Sequence, residues 1–219
     1  RFPGELSRRI QQGSNAGSYD WSHANSITYF DNDDSVLISF RHQNWIVKID
    51  RQTKKPVWVL GDAEGEGISS AFELGDGGGW FYSQHAPELD GTGRLLVYDN
   101  GNERPNEPNS YSRAVIYALD EPNMVAEEVW EYRTETFTGF LGDANWLANG
   151  NVLVTAGGVR AGGGGRGSGG PKPGTAQIVE VTTDDSRGPE TKVWELRVEA
   201  FVYRSNRIRS FWPGSTHSP

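Results

Sequence analysis

The chain has 219 residues and a formal net charge of −8, with 28 glycines, no cysteine and 35% hydrophobic residues. An acidic chain disfavours a nucleic-acid or anionic-membrane partner; no apolar run approaches the ~20 residues that span a bilayer, and the lack of cysteine excludes disulfides and thiolate chemistry. The 8 tryptophans, 8 tyrosines and 9 phenylalanines nevertheless predict a packed core built from large side chains.

Three similar units follow one another along the chain, and each contains four short β-rich runs separated by turn-forming residues. A unit opens with a polar tripeptide, continues with two apolar runs and ends in a phrase centred on Val-Trp. The openings are His23–Asn25, His85–Pro87 and Asp143–Asn145; the second runs are Val36–Phe40, Arg94–Tyr98 and Asn151–Thr155; the third runs are Trp45–Asp50, Ala114–Leu119 and Ala176–Val181; the last runs are Pro56–Leu60, Glu128–Tyr132 and Lys192–Leu196.

Four antiparallel strands in a repeat of about 60 residues are typical of a β-propeller blade. We therefore predict an all-β fold with blades over residues 19–62, 80–133 and 137–198, after a linker or the end of a preceding blade at residues 1–18. Residues 200–213 match the opening of the first unit and predict the first strand of a closing blade, followed by a tail at residues 214–219.

Three blades and one strand cannot close a ring, because their outer edges would present unpaired backbone groups. The missing strands are expected either from a preceding part of a longer chain, which we favour, or from a second copy.

A glycine-rich stretch at residues 157–174 interrupts the third unit and contains a formal Gly-x-Gly-x-x-Gly match at Gly162, Gly164 and Gly167. In a dinucleotide-binding site this motif follows a strand and opens a helix. No helical pattern follows it here, so we interpret the stretch as a flexible surface loop.

The repeat openings carry the first candidate site residues, because the innermost strand of each propeller blade lines the central channel. The equivalent positions hold His23, His85, Asp143 and Arg204. Imidazole and guanidinium groups that converge are suited to binding an oxyanion. A single histidine at a strand start is more often a structural hydrogen-bond partner, but two at equivalent repeat positions favour a functional role.

Other polar residues have simpler interpretations. His42 is expected to bond to the backbone, and the acidic residues Asp31, Asp33 and Asp34 lack the spacing of a calcium-binding loop. The sequence has no metal-ligand spacing, so no metal site is predicted. Arg41 directly follows the second run of the first unit and can turn toward the same end of the channel as His23. Arg104 is a further candidate on a loop of the second unit.

Several motifs together resemble the bacterial aryl-sulfate sulfotransferase (arylsulfotransferase) family. They are Asp20-Trp-Ser-His-Ala-Asn-Ser-Ile27, Ser39-Phe-Arg-His-Gln43, Gln84-His85, Asp99-Asn-Gly101 and Tyr203-Arg204, and the resemblance spans about residues 19–213. The family implies a six-bladed propeller of about twice this length, so this chain resembles its C-terminal half.

The resemblance implies transfer of a sulfuryl group from an aryl sulfate to a phenol through a sulfohistidine, with no cofactor and no nucleotide sulfate donor. It implies His85 as the nucleophile, His23 and Arg41 as further catalytic residues and Asn25 as a supporting residue. With Asn25, we take Arg204, Asn145 and Arg104 as substrate-binding candidates. A periplasmic or secreted location is also implied by the family.

Two other functions are compatible with the same residues. A non-catalytic propeller could bind an anionic ligand or a protein partner in this pocket without turnover. A hydrolase would pass the sulfuryl group to water instead of a phenol.

Overall fold

The computed structural model describes residues 11–12, 19–63, 66–105, 111–159, 174–183 and 192–208. All regular elements in these residues are β-strands, which confirms the predicted all-β class; none of them therefore provides a helix that could cross a membrane. The strands are β1 (Gln11–Gln12), β2 (Tyr19–Asp20), β3 (Ala24–Phe30), β4 (Ser35–Phe40), β5 (Trp45–Asp50), β6 (Pro56–Leu60), β7 (Glu73–Leu74), β8 (His85–Leu89), β9 (Arg94–Asp99), β10 (Arg113–Asp120), β11 (Val125–Arg133), β12 (Asp143–Trp146), β13 (Val152–Val159), β14 (Thr175–Val181) and β15 (Lys192–Val198).

Three antiparallel sheets contain the three repeated units. The first has the strand order β3-β4-β5-β6, the second β8-β9-β10-β11 and the third β12-β13-β14-β15. The second sheet gains a fifth strand, since β7 pairs in parallel with β11. The apolar runs expected from the repeats therefore lie in strands, because alternating apolar residues between turns favour half-buried β-structure.

The middle sheet is buried on both faces, and β9 shows how the period of two produces this arrangement. Leu95 and Val97 belong to a cluster shared with the first sheet, whereas Leu96 and Tyr98 belong to a cluster shared with the third. All four side chains have no exposed surface. The core therefore lies between successive sheets.

The tryptophans of the Val-Trp phrases occupy equivalent positions but differ in burial. Trp58 packs between the first and second sheets and Trp130 between the second and third, with 1% and 9% of their surfaces exposed. Trp194 on β15 is 44% exposed, beside the exposed Leu196 and Val193. The position thus packs against the following sheet, and the described residues supply no such sheet for Trp194.

The first strands of the three sheets adjoin one another, because β8 lies against β3 on one side and β12 on the other. The pairing register shifts between Ala24 and Ser26 in β3, and between His85 and Glu88 in β8. Such bulges bend a strand and re-aim its side chains. The starts of β3 and β8 are bent in this way, next to His23 and at His85, and β12, which begins at Asp143, lies beside β8.

The glycine-rich stretch begins later than the sequence predicts. Gly157 and Gly158 lie in β13, and a Cβ atom on Gly157 would stand 1.8 Å from the carbonyl oxygen of Val202. Glycine is required there by the close approach of another segment rather than for loop flexibility. Gly162, Gly164 and Gly167 lie outside the described residues.

The segment expected to open a further sheet has no strand in its described part, residues 200–208. It runs along the third sheet instead, where the backbone N–H of Val202 donates to the carbonyl of Gly157 at 3.1 Å. The closing blade over residues 200–213 stays a prediction, and residues 1–10, 13–18 and the tail at 214–219 lie outside the described residues.

Candidate active site

His85, the first residue of β8, is the most enclosed of the predicted site residues. Only 4% of its surface is exposed, and its Nδ1 atom lies 2.6 Å from Oδ1 of Asn100. The pKa of His85 is lowered to about 4, mainly by burial; the charges of Arg41 and His23 act in the same direction, while the hydrogen bonds with Asn100 and with the backbone of Ser83 oppose the shift. At neutral pH this side chain is therefore an uncharged imidazole.

His23 lies just before β3 and forms a pair with a carboxylate. Its Nδ1 atom is 2.5 Å from Oδ2 of Asp20, and its backbone N–H donates to Oδ1 at 2.9 Å. Partial burial raises the pKa of Asp20, but these hydrogen bonds with His23 outweigh it and keep the pKa below its usual value. The side chain of His23 is 45% exposed, so its ring can reach a bound molecule.

His42 contacts both members of the His23–Asp20 pair. It is buried, its ring stacks on that of His23 at 4.6 Å between centroids, and its Nδ1 atom lies 2.6 Å from the backbone oxygen of Asp20. Burial lowers the pKa of His42. Its bond to the backbone agrees with the structural role expected from the sequence.

The three residues Asp20, His23 and His42 also place potential metal-ligating atoms within 4.8 Å of one another. The sequence did not reveal this cluster because His42, 22 residues after Asp20, comes from the turn between β4 and β5 rather than from the segment of Asp20 and His23. Hydrogen bonds already account for the arrangement, and the predicted lack of a metal site stays a prediction.

Arg41, directly after β4, is tied to two parts of the site. Its backbone N–H donates to the carbonyl of His23 at 3.2 Å, and its Nη2 atom donates to the carbonyl of Gly139 at 2.9 Å. Its charge acts on His85. The predicted trio of His85, His23 and Arg41 is thus electrostatically connected.

Asn25 lies in β3 beside the residue that precedes His85. Its Nδ2 atom donates to the carbonyl of Gln84 at 2.7 Å. Its Oδ1 atom is buried without a hydrogen-bond partner among the described residues. A buried carbonyl oxygen of this kind can accept a hydrogen bond from a bound molecule.

Asp143 and Asn145 of β12 hold the C-terminal segment. The Nδ2 atom of Asn145 donates to Oδ2 of Asp143 at 2.8 Å and to the carbonyl of Ser205 at 3.0 Å. Burial raises the pKa of Asp143, although Asn145 and the charge of Arg204 oppose the shift. Asn145 therefore anchors residues next to Arg204.

Tyr203 in that segment reaches the centre of the site. Its ring meets the ring of His85 edge-on at 6.0 Å between centroids, and its hydroxyl donates to the carbonyl of Asn25 at 3.3 Å. The guanidinium of Arg204 lies 5.5 Å from the Tyr203 ring centre. Among the candidates, Arg204 is connected to His85 through this tyrosine.

Arg104 has a different setting from the other candidates. It donates to Oδ2 of Asp99 at 2.6 Å and to the carbonyl of Trp80 at 3.0 Å, and its guanidinium lies 5.4 Å from the ring centre of Tyr82 and 4.4 Å from that of Tyr111. None of these contacts joins it to His85. Substrate binding by Arg104 stays a prediction.

The backbone is strained where the first strands begin. The non-glycine residues His23, Ala86 and Leu141 have φ angles of 44°, 48° and 60°. Left-handed conformations at such residues are uncommon and cluster at functional sites. Each of the three adjoining strands has one of these residues at or near its start.

The sequence did not single out three residues of this site, which are Asp20, Asn100 and Tyr203. A carboxylate three residues before His23 was an available signal. Asn100 and Tyr203 had no local signal, because they meet His85 across a strand pair and from the far end of the chain.

Fold and site together define an all-β protein of repeated antiparallel sheets, with a buried neutral histidine beside positively charged groups. A family model described as Arylsulfotransferase (ASST) matches residues 7–204, and the chain belongs to this family. It is 34% identical to "Arylsulfate sulfotransferase AssT" of Escherichia coli O6:H1 and 35% identical to the protein of the same name from Lelliottia amnigena. Each alignment of 141 residues covers 53% of this chain and 23% of the relative, so the matched part is about a quarter of the relatives' length.

Proposed function

We propose that this protein transfers a sulfuryl group from an aryl sulfate to a phenol through a sulfated His85. The observation that carries the proposal is the setting of His85, a buried imidazole whose pKa of about 4 keeps it uncharged, within electrostatic reach of Arg41 and His23. A neutral imidazole can act as a nucleophile, and fixed positive charge stabilises a reacting group whose oxygens are negative.

In the first half-reaction, a ring nitrogen of His85 attacks the sulfur atom of the donor. The N–S bond forms while the S–O bond to the aryl group breaks, and the leaving phenolate takes a proton from His23. Arg41 donates to the sulfuryl oxygens from a guanidinium that Gly139 holds in place. By analogy with oxyanion-hole donors, this interaction contributes about 2–4 kcal/mol in the transition state.

In the second half-reaction, the acceptor phenol gives its proton to His23 and its oxygen attacks the sulfur. The N–S bond breaks and His85 returns to the neutral state. Asn25 offers a buried acceptor oxygen to the substrate, and Arg204, Asn145 and Arg104 remain proposed binding residues. Neither half-reaction requires a nucleotide sulfate donor or a cofactor.

Turnover of a chromogenic aryl sulfate with added phenol tests the role of His85. The protein is expected to release phenol in a ping-pong pattern, and a rapidly quenched sample with donor alone should contain sulfohistidine by mass spectrometry. His85→Ala should abolish both signals. His217→Ala, the same change at a histidine outside the described residues, is the matched control and should retain both.

The alternatives give different outcomes in the same assay. Saturable binding of aryl sulfate without turnover or sulfohistidine would identify a non-catalytic binding protein. Phenol release at a rate independent of the acceptor would identify a hydrolase. Equal turnover in the wild type and in His85→Ala would remove His85 from the mechanism.

We further propose that the three sheets are blades of a six-bladed propeller. The exposure of Trp194, where Trp58 and Trp130 are packed, supports a further sheet against β15. The preceding part of a longer chain or a second copy would supply it. Sedimentation of the 219-residue chain separates these sources, since a second copy predicts a dimer that Trp194→Glu disrupts.

The family resemblance also supports a periplasmic or secreted location. Fractionation of cells that express the protein from its natural gene is expected to place it outside the cytoplasm. Recovery in the cytoplasmic fraction alone would contradict this proposal.

A further inference from the structure

The side-chain amide of Asn100 has only one orientation that its surroundings accept. Asn100 is completely buried, and one end of its amide lies 2.6 Å from the carbonyl oxygen of Thr138 and 2.8 Å from that of Leu141. Carbonyl oxygens only accept hydrogen bonds, so the NH₂ group must face them. The oxygen Oδ1 therefore faces the other way.

That oxygen lies 2.6 Å from Nδ1 of His85. An amide oxygen cannot donate, so Nδ1 must carry the proton of a neutral imidazole. The lone pair is then on Nε2. The tautomer of His85 follows from two backbone carbonyls that do not touch the histidine.

The carbonyl groups are themselves held firmly. The hydroxyls of Tyr98 and Thr138 bond to each other, and Ser112 accepts the backbone N–H of Thr138 at 2.8 Å. At Gly142 a Cβ atom would stand 2.2 Å from the Tyr98 ring, so only glycine permits this close approach. The segment that orients Asn100 is therefore packed against the core.

A neutral amide at this position differs from a carboxylate in its effect on charge. A carboxylate would favour the imidazolium, whereas an amide oxygen supports a neutral ring that donates from Nδ1. Arg41 and His23 disfavour a positive charge on His85, whereas the hydrogen bonds with Asn100 and with the backbone of Ser83 act in the opposite direction. On the adjoining strands, Asp99 is engaged by Arg104 and Arg113, and Asp143 by Asn145.

We propose that Asn100 is a positioning residue that holds His85 in the Nδ1–H tautomer and so makes Nε2 the atom that attacks sulfur. Among the described residues, Tyr203 lies against the same ring and Tyr98 stands opposite His85 on β9, and both are titratable groups close to it. The catalytic part of this inference rests on the proposed sulfuryl transfer, while the tautomer does not.

The tautomer can be measured in the wild-type protein, with substitutions used only to assign the signals. The chain has four histidines, so ¹⁵N-labelled imidazole signals can be assigned by single His→Gln changes. At pH 7 the His85 signals should show a protonated Nδ1 and an unprotonated Nε2. A protonated Nε2 in the wild type would overturn the proposal.

Asn100→Asp tests the choice of an amide, with the exposed turn residue Asn123→Asp as the matched control. The new carboxylate should raise the pKa of His85 by about 1–3 units, and the acid limb of the rate profile should move upward by the same amount. Asn100→Ala should remove the tautomer preference and lower kcat with little change in KM. Asn123→Asp should change neither the imidazole signals nor the rate profile.

Failure of this inference is distinguishable from failure of the proposed function. If His85→Ala is inactive while Asn100→Asp leaves both the imidazole signals and the acid limb unchanged, Asn100 has no positioning role. If His85→Ala retains full activity, the proposed sulfuryl transfer through His85 fails, and the catalytic role of Asn100 fails with it.

Discussion

Oδ2 of Asp20 lies 2.5 Å from Nδ1 of His23, and the same carboxylate accepts the backbone N–H of that histidine at 2.9 Å. A histidine oriented by a carboxylate through Nδ1 keeps Nε2 for proton exchange. The His23 ring is partly exposed, whereas His85 is enclosed. The two site histidines are thus suited to different tasks, His23 to proton transfer and His85 to covalent bonding.

Asp20→Asn should lower kcat by about 10²-fold or more, because His23 loses the carboxylate that orients it for general acid–base catalysis. The loss should grow with the pKa of the acceptor phenol, because weakly acidic phenols depend most on proton removal. Steady-state rates with a series of substituted phenols provide the measurement. Asp34→Asn, at an exposed carboxylate that pairs with Arg51, is the control; an equal loss for every acceptor would point to a structural effect.

Arg41→Ala should reduce kcat by about 10²–10³-fold, because it removes the proposed donor to the sulfuryl oxygens. Arg51→Ala, at an exposed arginine, should leave the rate unchanged. Single-turnover phenol release measures the chemical step, and thermal unfolding checks that Arg41→Ala is folded. Normal single-turnover release by a folded Arg41→Ala protein would exclude this role.

The buried His85 should make stability sensitive to acid. Its pKa is lowered from the usual 6.5 to about 4, so between these values the unfolded chain binds a proton that the folded chain does not. Stability must therefore fall as pH falls through this window, by about 2 kcal/mol at pH 5 relative to pH 7.5 from this group alone. Urea unfolding of the wild type and of His85→Gln tests the difference.

His42 contributes to acid sensitivity in the same direction, since burial also lowers its pKa. The informative quantity is therefore the smaller loss expected in His85→Gln between the two pH values. Identical losses in both proteins would show that His85 titrates normally in the folded state.

Arg113, the first residue of β10, is the centre of a buried network of ion pairs. Its side chain is 3% exposed and contacts Asp99 at 3.0 Å, Glu128 at 2.8 Å and Glu131 at 2.7 Å. Arg113→Ala removes the cation that Asp99, Glu128 and Glu131 share and should cost about 3–5 kcal/mol of unfolding free energy, because Arg104 and Arg133 pair with only two of the three carboxylates. Arg133→Ala, which removes an exposed partner of the same Glu131, should cost about 1 kcal/mol or less. Comparable losses in the two variants would be inconsistent with a buried network.

Dialysis against a chelator should leave turnover unchanged, because the atoms that could ligate a metal at Asp20, His23 and His42 already bond to one another or to the backbone. Activity before and after treatment, with metal content measured in both samples, is the test. A loss of activity that added zinc restores would identify this cluster as a metal centre.

Much of the strand pattern was accessible from the sequence because it depends on local properties. The run Val36–Phe40 lies within β4, and the run Trp45–Asp50 has the same bounds as β5. Both could be predicted because alternating apolar side chains and turn residues act over a few positions. The added strand β7 was not foreseen, because Glu73–Leu74 is too short to show a period and pairs with a distant edge. Gly157 was misread as part of a flexible loop, because the segment that requires a glycine there is 45 residues away in the chain.

The sequence by itself determined the all-β class, the repeated units with their aromatic residues, and the family to which the motifs of His23, Arg41 and His85 point. Length and net charge described the whole chain and said nothing about the local positive charge around His85. Only the tertiary structure decided that Asn100 forms a hydrogen bond with His85, that Tyr203 lies against its ring and that Arg104 pairs with Asp99. Those relationships join residues from different strands and segments, and hydrogen-bond direction and burial are set only once the sheets pack together.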